Sequence, residues 1–282
     1  MKTGIQQIML GTLCKDETSA LNTLNRIRNA GYEGIELNRF MIHPSSLPVR
    51  LLTRAAGMPT GNGGKLDWHK LIETSGLEVI SLHTDLGSLQ NNTEEVIVEA
   101  KSFHIAYVVI TGMYRFDYTS EAEVRRLAKQ LNTQGKILKE NGLSLLYHNH
   151  NAELVHVNQE KRAYDILIEE TDEEYVNFEF DSFWFAQSGA DPAYWMKKTG
   201  RRLKLWHIND CGSRVKKKII TPILRCDSME LGTGNMNLSM LKEIADEAGI
   251  DAVVLESHRN WIDNDPLASM ELSALWLKEN YG

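Results

Sequence analysis

The chain has 282 residues, 42% of them hydrophobic, which is ample for a sizeable buried core in one large domain or two small ones. Its 31 basic and 38 acidic residues leave a net charge of −7, the wrong sign for a protein whose affinity comes from neutralising phosphates, so nucleic acid is excluded as a partner. The densest basic run, Arg214 to Lys218, has no interleaved aromatics and reads as a solvated loop.

In chain order, short β-rich runs alternate with amphipathic helical ones. Strands are expected at Ile5–Leu10, Gly34–Leu37, Glu78–His83, Ala106–Thr111, Leu143–Tyr147, Val176–Phe180, Leu203–Ile208 and Ala252–Leu255. Helices are expected at Ser19–Asn29, Asp67–Thr74, Glu94–Phe103, Glu121–Glu140, Arg162–Glu170, Pro192–Lys198, Leu238–Glu247 and Leu267–Lys278. Several of these end in a glycine placed to close them in left-handed conformation, at Gly31, Gly76, Gly142, Gly200 and Gly249. Eight repeats of strand, loop, helix and glycine predict a closed (β/α)8 barrel, an α/β fold in a single domain spanning residues 1–282.

Two long insertions break the rhythm, after the second and the seventh strands. One is Asn38 to Lys65, with Pro44, Pro48, Pro59 and the glycine cluster Gly61 to Gly64; the other is Asp210 to Asn237. Both fall on the face where the strand carboxyl ends open, the place for segments that shape substrate access or dock a partner.

The amino terminus lacks a long apolar segment followed by a small-residue cleavage site, and nowhere do the roughly 20 apolar residues of a bilayer span occur. Cys14, Cys211 and Cys226 have no CxxC spacing, and their odd number points away from a disulfide framework. The expectation is a soluble protein of the reducing cytoplasm.

Polar residues cluster where four successive strands end: His148 to Glu153, Asp181, His207 and Glu256. In a parallel barrel these ends meet at one pocket. Side chains alternate along a strand, so His148 and His150 share a face, as do Glu179 with Asp181 and Glu256 with His258. Desolvating several ionisable groups side by side is costly unless a cation offsets the repulsion. Mixed imidazole and carboxylate donors suit manganese, magnesium, iron, cobalt or zinc. Each residue also has a plainer reading: Asp181 caps the following helix, Glu256 pairs with Arg259, and His83 lines the pocket at the end of the third strand.

Through AGYEGIELN (30–38), SLHTDLGS (81–88), LYHNHNAEL, FEFDSFWFAQSGADP, RRLKLWHIND, ELGTGN and VVLESHRNW, the whole chain resembles the xylose isomerase-like barrel superfamily of sugar phosphate isomerases and epimerases. That resemblance implies a divalent cation held by residues ending strands five to eight, and Asp181, His207 and Glu256 match three of the family's ligands. At strand five His148 stands where most members have glutamate, and the next carboxylate is Glu153; either completes the shell. The lysine that usually follows the strand-seven histidine is replaced by Asn209.

Within the superfamily, YHNHNAEL, FEFDSFW, HIND, TPIL and ELGTGNM look most like the large subunit of bacterial C-glycoside deglycosidases. The resemblance implies a lyase acting on a 3-oxo-glucosyl substrate, with a small β-rich subunit as partner in a hetero-oligomer. A C3 ketone acidifies the C2 hydrogen, and the resulting enediolate expels the aglycone from C1, with manganese the first choice of metal and magnesium, cobalt or zinc the alternatives. His150 is the first candidate for the base at C2, with Glu153 in that role if His148 is the ligand. His83, His258 and Arg259 are the expected sugar contacts. The alternative is a metal-dependent keto-sugar epimerase or isomerase, which returns the proton to carbon instead.

Overall fold

The computed structural model describes residues 1–44, 63–111, 116–215 and 221–282. Eight parallel strands pair into a closed barrel: β1 (Lys2–Gln6), β2 (Gly34–Asn38), β3 (Glu78–Thr84), β4 (Tyr107–Thr111), β5 (Ser144–His148), β6 (Val176–Asp181), β7 (Leu203–Ile208) and β10 (Ala252–Leu255), with β10 beside β1. The intervening β8 (Asp210–Gly212) and β9 (Asp227–Met229) form a separate antiparallel pair on the segment after β7.

Helices cover the outside: α1 (Glu17–Ala30), α2 (Arg39–Ile42), α3 (Trp68–Ser75), α4 (Leu86–Asn91), α5 (Thr93–Ser102), α6 (Glu121–Glu140), α7 (Ala163–Glu170), α8 (Ser182–Gln187), α9 (Pro192–Thr199), α10 (Leu238–Ala248) and α11 (Pro266–Tyr281). Their starts follow from capping chemistry. Asp16 accepts from the Ser19 backbone N–H at α1, and Ser120 from that of Glu123 at α6. Gly31 and Gly249 close α1 and α10 at φ 112° and 73°, a conformation that costs a residue with Cβ. Among the described residues, no helix is long and apolar enough to cross a membrane.

Two apolar layers result. The larger packs the helices on the outer faces of the strands, and a small inner cluster of Ile80, Val109, Leu146, Leu205, Ala252 and Val254 fills the barrel. Gly4 and Gly34 make room for Ile80, since a Cβ on Gly4 would lie 2.2 Å from Ile80 Cδ1 and one on Gly34 2.7 Å from its Cγ1. Toward the carboxyl ends the inward row turns polar, as Leu146 gives way to His148, Leu205 to His207 and Val254 to Glu256.

Three expectations are corrected. The first strand is Lys2–Gln6 rather than Ile5–Leu10: the Gln6 side chain accepts from the Ile8 N–H, and the apolar run Gln7–Leu10 turns into a 3-10 helix. Cys211 and Cys226 are joined by a disulfide, with Cα atoms 6.3 Å apart, because the β8–β9 pairing brings residues distant in sequence together; Cys14 is free and buried. Arg259 pairs with Asp227 rather than Glu256. Most of the insertion after β2, with Pro48 and Pro59, lies outside the described residues, as do Lys216 to Lys218 of the basic run.

The segment after β8 is organised by a buried carboxylate. Asp210 Oδ1 accepts from the N–H groups of Cys211 (2.8 Å) and Met236 (3.1 Å), and Oδ2 from those of Gly232 (3.1 Å) and Gly234 (2.9 Å). A Cβ on Gly234 would stand 2.3 Å from Asp210 Oδ1. The ELGTGNM segment is thus wrapped around one side chain at the barrel mouth.

Candidate metal centre

Four strand-end residues converge. His148 at the end of β5, Asp181 at the end of β6, His207 on β7 and Glu256 just after β10 each offer one donor atom, all within 4.8 Å of one another and all buried. Of the two candidates for the strand-five position, it is His148 that joins this group. Glu153 is turned to the opposite face of β5, where Oε1 accepts from the Tyr147 hydroxyl at 2.7 Å and Oε2 from the His150 N–H at 3.0 Å. Tyr147 and Tyr118 hydroxyls are 3.0 Å apart in the same buried pocket. Burial pushes the Glu153 carboxyl up, and both of its oxygens are engaged in holding the turn that carries His150.

Asp181 combines two roles. Its Oδ1 accepts from the Trp184 N–H at 3.0 Å and so caps α8, while its backbone is held by Asn149. Burial first, and the neighbouring Glu256 carboxylate second, push Asp181 well above the usual carboxylate range. Glu256 goes the other way: burial alone would raise it, but His258 and His207 hold it well below that range. Trp206 Nε1–H donates to Ser182 Oγ (3.0 Å), and Ser182 Oγ–H to the His207 carbonyl (3.3 Å), which fastens β7 to the start of α8.

Beside these residues lies a second buried group formed by Glu36, His83, Glu179 and His207. His83 Nε2 is 3.2 Å from both Glu36 Oε2 and Glu179 Oε2. His207 Nε2 is 2.5 Å from Glu36 Oε2, and its Nδ1 is 3.0 Å from Glu256 Oε2. Burial opposes a charge on His83, but the carboxylates of Glu179 and Glu36 outweigh it and push the imidazole up to about 10. His207 is raised in the same way, burial being overcome by Glu179, Glu36 and Glu256. Glu179 is held well below its usual value, the imidazoles of His207 and His83 overriding its burial. His83 is therefore a member of this second buried group.

His150 stands beside the first group, in a row of ring contacts with His148 and Trp184. Its ring centroid is 5.0 Å from that of His148 and 5.6 Å from that of Trp184. Burial, then the neighbouring His148, push it down to about 3, so the ring is neutral at physiological pH and carries a free lone pair. Trp184 bridges to His258 at 5.7 Å, and its indole Nε1–H is buried with no partner among the described residues. His258 Nε2 in turn lies 3.6 Å from Glu256 Oε1. Arg259 is not part of this row; its Nε donates to Asp227 Oδ1 at 2.8 Å and its side chain is 58% exposed.

The upper group suits a divalent cation. Two imidazoles and two carboxylates match the donor chemistry of manganese, zinc or cobalt. The crowding that raises Asp181 beside Glu256 is the repulsion a cation relieves. One further carboxylate oxygen at this end of the barrel, Glu179 Oε1, is buried with no hydrogen-bond partner among the described residues.

Glu36, Asn149 and Trp184 were not singled out by the sequence, and Glu179 only as sharing a face with Asp181. The signal for Glu179 was that two-residue alternation; for Glu36 it was a lone charge inside the apolar strand GIELN.

The chain belongs to the xylose isomerase-like TIM barrel family, whose match covers residues 24–280. Inosose dehydratase of Clostridium perfringens is 29% identical over 160 residues, 57% of this chain and 46% of that protein, so the match spans less than half of the relative's length. A sugar phosphate isomerase/epimerase from Parabacteroides distasonis superposes with a TM-score of 0.74 at 21% identity over 98% of this chain and 93% of its own. The IolI protein, solved with a bound zinc atom, superposes with a TM-score of 0.68 at 17% identity over 99% of this chain and 98% of its own. At these identities the superpositions establish the fold alone.

Proposed function

We propose that the protein is a metal-dependent lyase that removes the proton α to a sugar ketone and expels the group β to it, cleaving the C-glycosidic bond of 3-oxo-C-glucosides. The observation that carries this reading is the placement of neutral His150 against the buried set His148, Asp181, His207 and Glu256. Those four residues would hold the cation, manganese being the first choice. When bound, such an ion supplies Lewis acidity at the ketone and its enediolate, worth several kcal/mol in comparable enzymes.

The remaining chemistry belongs to the chain. His150 takes the C2 proton onto its free ring nitrogen, and the electron pair left at C2 forms the enediolate with the C3 carbonyl. The pair then moves to form the C1–C2 double bond as the bond from C1 to the aglycone breaks, and the aglycone carbon, which keeps that bonding pair, takes up the proton that His150 removed from C2. Glu153 holds the His150 backbone, and Trp184 offers a flat face to the sugar or aglycone. His258, in ring contact with Trp184, extends that face.

A second reading has its own support. An inosose is a cyclic polyhydroxy ketone, and a dehydratase acting on it performs the same two operations with hydroxide as the departing group. The similarity to inosose dehydratases favours that variant. An epimerase or isomerase shares only the first operation. The three separate in one assay, in which purified protein with added manganese is given a 3-oxo-C-glucoside, an inosose and a free ketose. Aglycone release supports the C-glycoside reading, loss of water from the inosose alone replaces it with the dehydratase, and turnover of the ketose alone with an epimerase or isomerase. Running the assay with and without a small β-rich partner subunit tests the hetero-oligomer; the exposed apolar side chains of Val215, Ile223 and Leu224 after β8 are a suitable docking surface for it.

A further inference from the structure

The two buried groups share His207, and they cannot both hold an ion through an ordinary imidazole. A neutral ring carries one N–H and one lone pair. His207 directs Nδ1 toward Glu256, 3.0 Å away, and Nε2 toward Glu36, 2.5 Å away. The same pattern recurs at His148, whose Nδ1 is 3.0 Å from Glu179 Oε2. Each histidine of the upper group therefore points one nitrogen at a carboxylate below it, and those two carboxylates are bridged by His83 at 3.2 Å from each.

We propose that Glu36 and Glu179, cross-braced by His83, form a tautomer-locking floor rather than a second metal site. Glu36 accepts the Nε2–H of His207 and Glu179 the Nδ1–H of His148, so each ring presents its lone pair to the single ion above. They are positioning residues, acting through the ligands and touching no substrate. The arrangement is complete within the barrel: Glu36, His83, Glu179, His148 and His207 are all buried, on β2, β3, β6, β5 and β7, and Ser81 Oγ–H donates to Glu36 Oε1 at 2.9 Å, fixing that carboxylate from the side. Glu36 is held in turn by the register of β2 against β3, which shifts between Ile35 and Glu36.

This inference rests on the upper group being the metal centre, and the two fail differently. The test is to load the full-length protein with Zn2+, count ions per chain, measure affinity by competition with a chelator, and record long-range 1H–15N correlations of the histidine rings. One ion per chain is expected, with the His207 ring protonated at Nε2 and ligated at Nδ1. Glu36→Gln should weaken zinc affinity about 10- to 100-fold and move the His207 ring signals, with partial recovery in Glu36→Asp. Two ions per chain in the wild type, one of them lost in Glu36→Gln or His83→Asn, would overturn the proposal. So would a wild-type His207 ring ligated through Nε2, a measurement that needs no variant to fold. A wild-type chain that takes up no ion would sink the metal centre itself, and the floor with it.

Discussion

Asn149 and Asp181 are tied to each other twice: Asn149 Nδ2–H donates to the Asp181 carbonyl at 3.0 Å, and the Asp181 N–H donates to Asn149 Oδ1 at 3.0 Å. One buried amide thus continues the β5–β6 ladder past its last backbone pairing and sets where the Asp181 carboxylate stands. Asn149→Ala leaves a buried N–H and a buried C=O unpaired, which costs about 1–3 kcal/mol for each such group, and lets the Asp181 carboxylate drift. Isothermal titration should show metal affinity reduced about tenfold, with chemical denaturation reporting the stability loss. Unchanged affinity would mean that Asp181 is placed by its helix-capping bond to Trp184 alone.

The pH dependence of stability in the chelated protein follows from two histidines of opposite sign. His83 is pushed up to about 10, since the Glu179 and Glu36 carboxylates outweigh its burial. Its folded value lies above the unfolded value of about 6.5, so its stabilising contribution is complete below that pH and is lost as pH rises through about 10. His150 is pushed down to about 3, by burial and then His148, so the folded state resists a proton that the unfolded chain accepts. Stability is therefore lost as pH falls from about 6.5 toward the folded value. Thermal melts should peak near neutrality, with His83→Asn flattening the alkaline limb and His150→Asn the acid limb; limbs unmoved in both variants would contradict these assignments.

Asp210 supports the segment at the barrel mouth through four backbone N–H groups. Asp210→Ala should destabilise the protein by about 2–4 kcal/mol, the range for removing a charged, buried acceptor. Hydrogen exchange should show the loss concentrated in residues 230–236. Exchange unchanged there would show that the turn holds by its own backbone bonds.

At the other end of the barrel, Gly4→Ala places a methyl 2.2 Å from Ile80 Cδ1. Overpacking of this kind costs about 1–3 kcal/mol. Ile80→Val in the same chain should restore most of it, a coupling that urea denaturation of the two single variants and the double variant measures directly. Additive losses would place the strain elsewhere.

Most of the architecture was legible because it is written in local chemistry. Gly31, Gly76, Gly142 and Gly249 mark where helices stop, and the pattern Leu205 to His207 or Val254 to Glu256 marks where the inward row becomes polar. What escaped depended on register. Glu36 is one charge in a five-residue strand, and only the barrel's closure decides that it faces inward toward His207. The choice between His148 and Glu153 turned on the side of β5 that each occupies, which the intervening turn at 149–152 hides from the sequence. Arg259 reads as a pocket cation by its place after Glu256 and His258, yet Asp227, brought alongside by the β8–β9 pair, draws it outward. Cys211 and Cys226 were missed for the same reason, since no spacing rule connects them across that pair.

The central claim is that ion-binding residues at the strand ends and His150 beside them together labilise the hydrogen α to a sugar ketone. The most direct measurement is exchange of that hydrogen with D2O, followed by NMR on a 3-oxo-C-glucoside and on an inosose, before and after chelation. The account predicts exchange in the metal-loaded protein, none after chelation, recovery when manganese is returned, and none in His150→Gln although that variant still binds the ion. Exchange that continues unabated in the metal-stripped protein would contradict it.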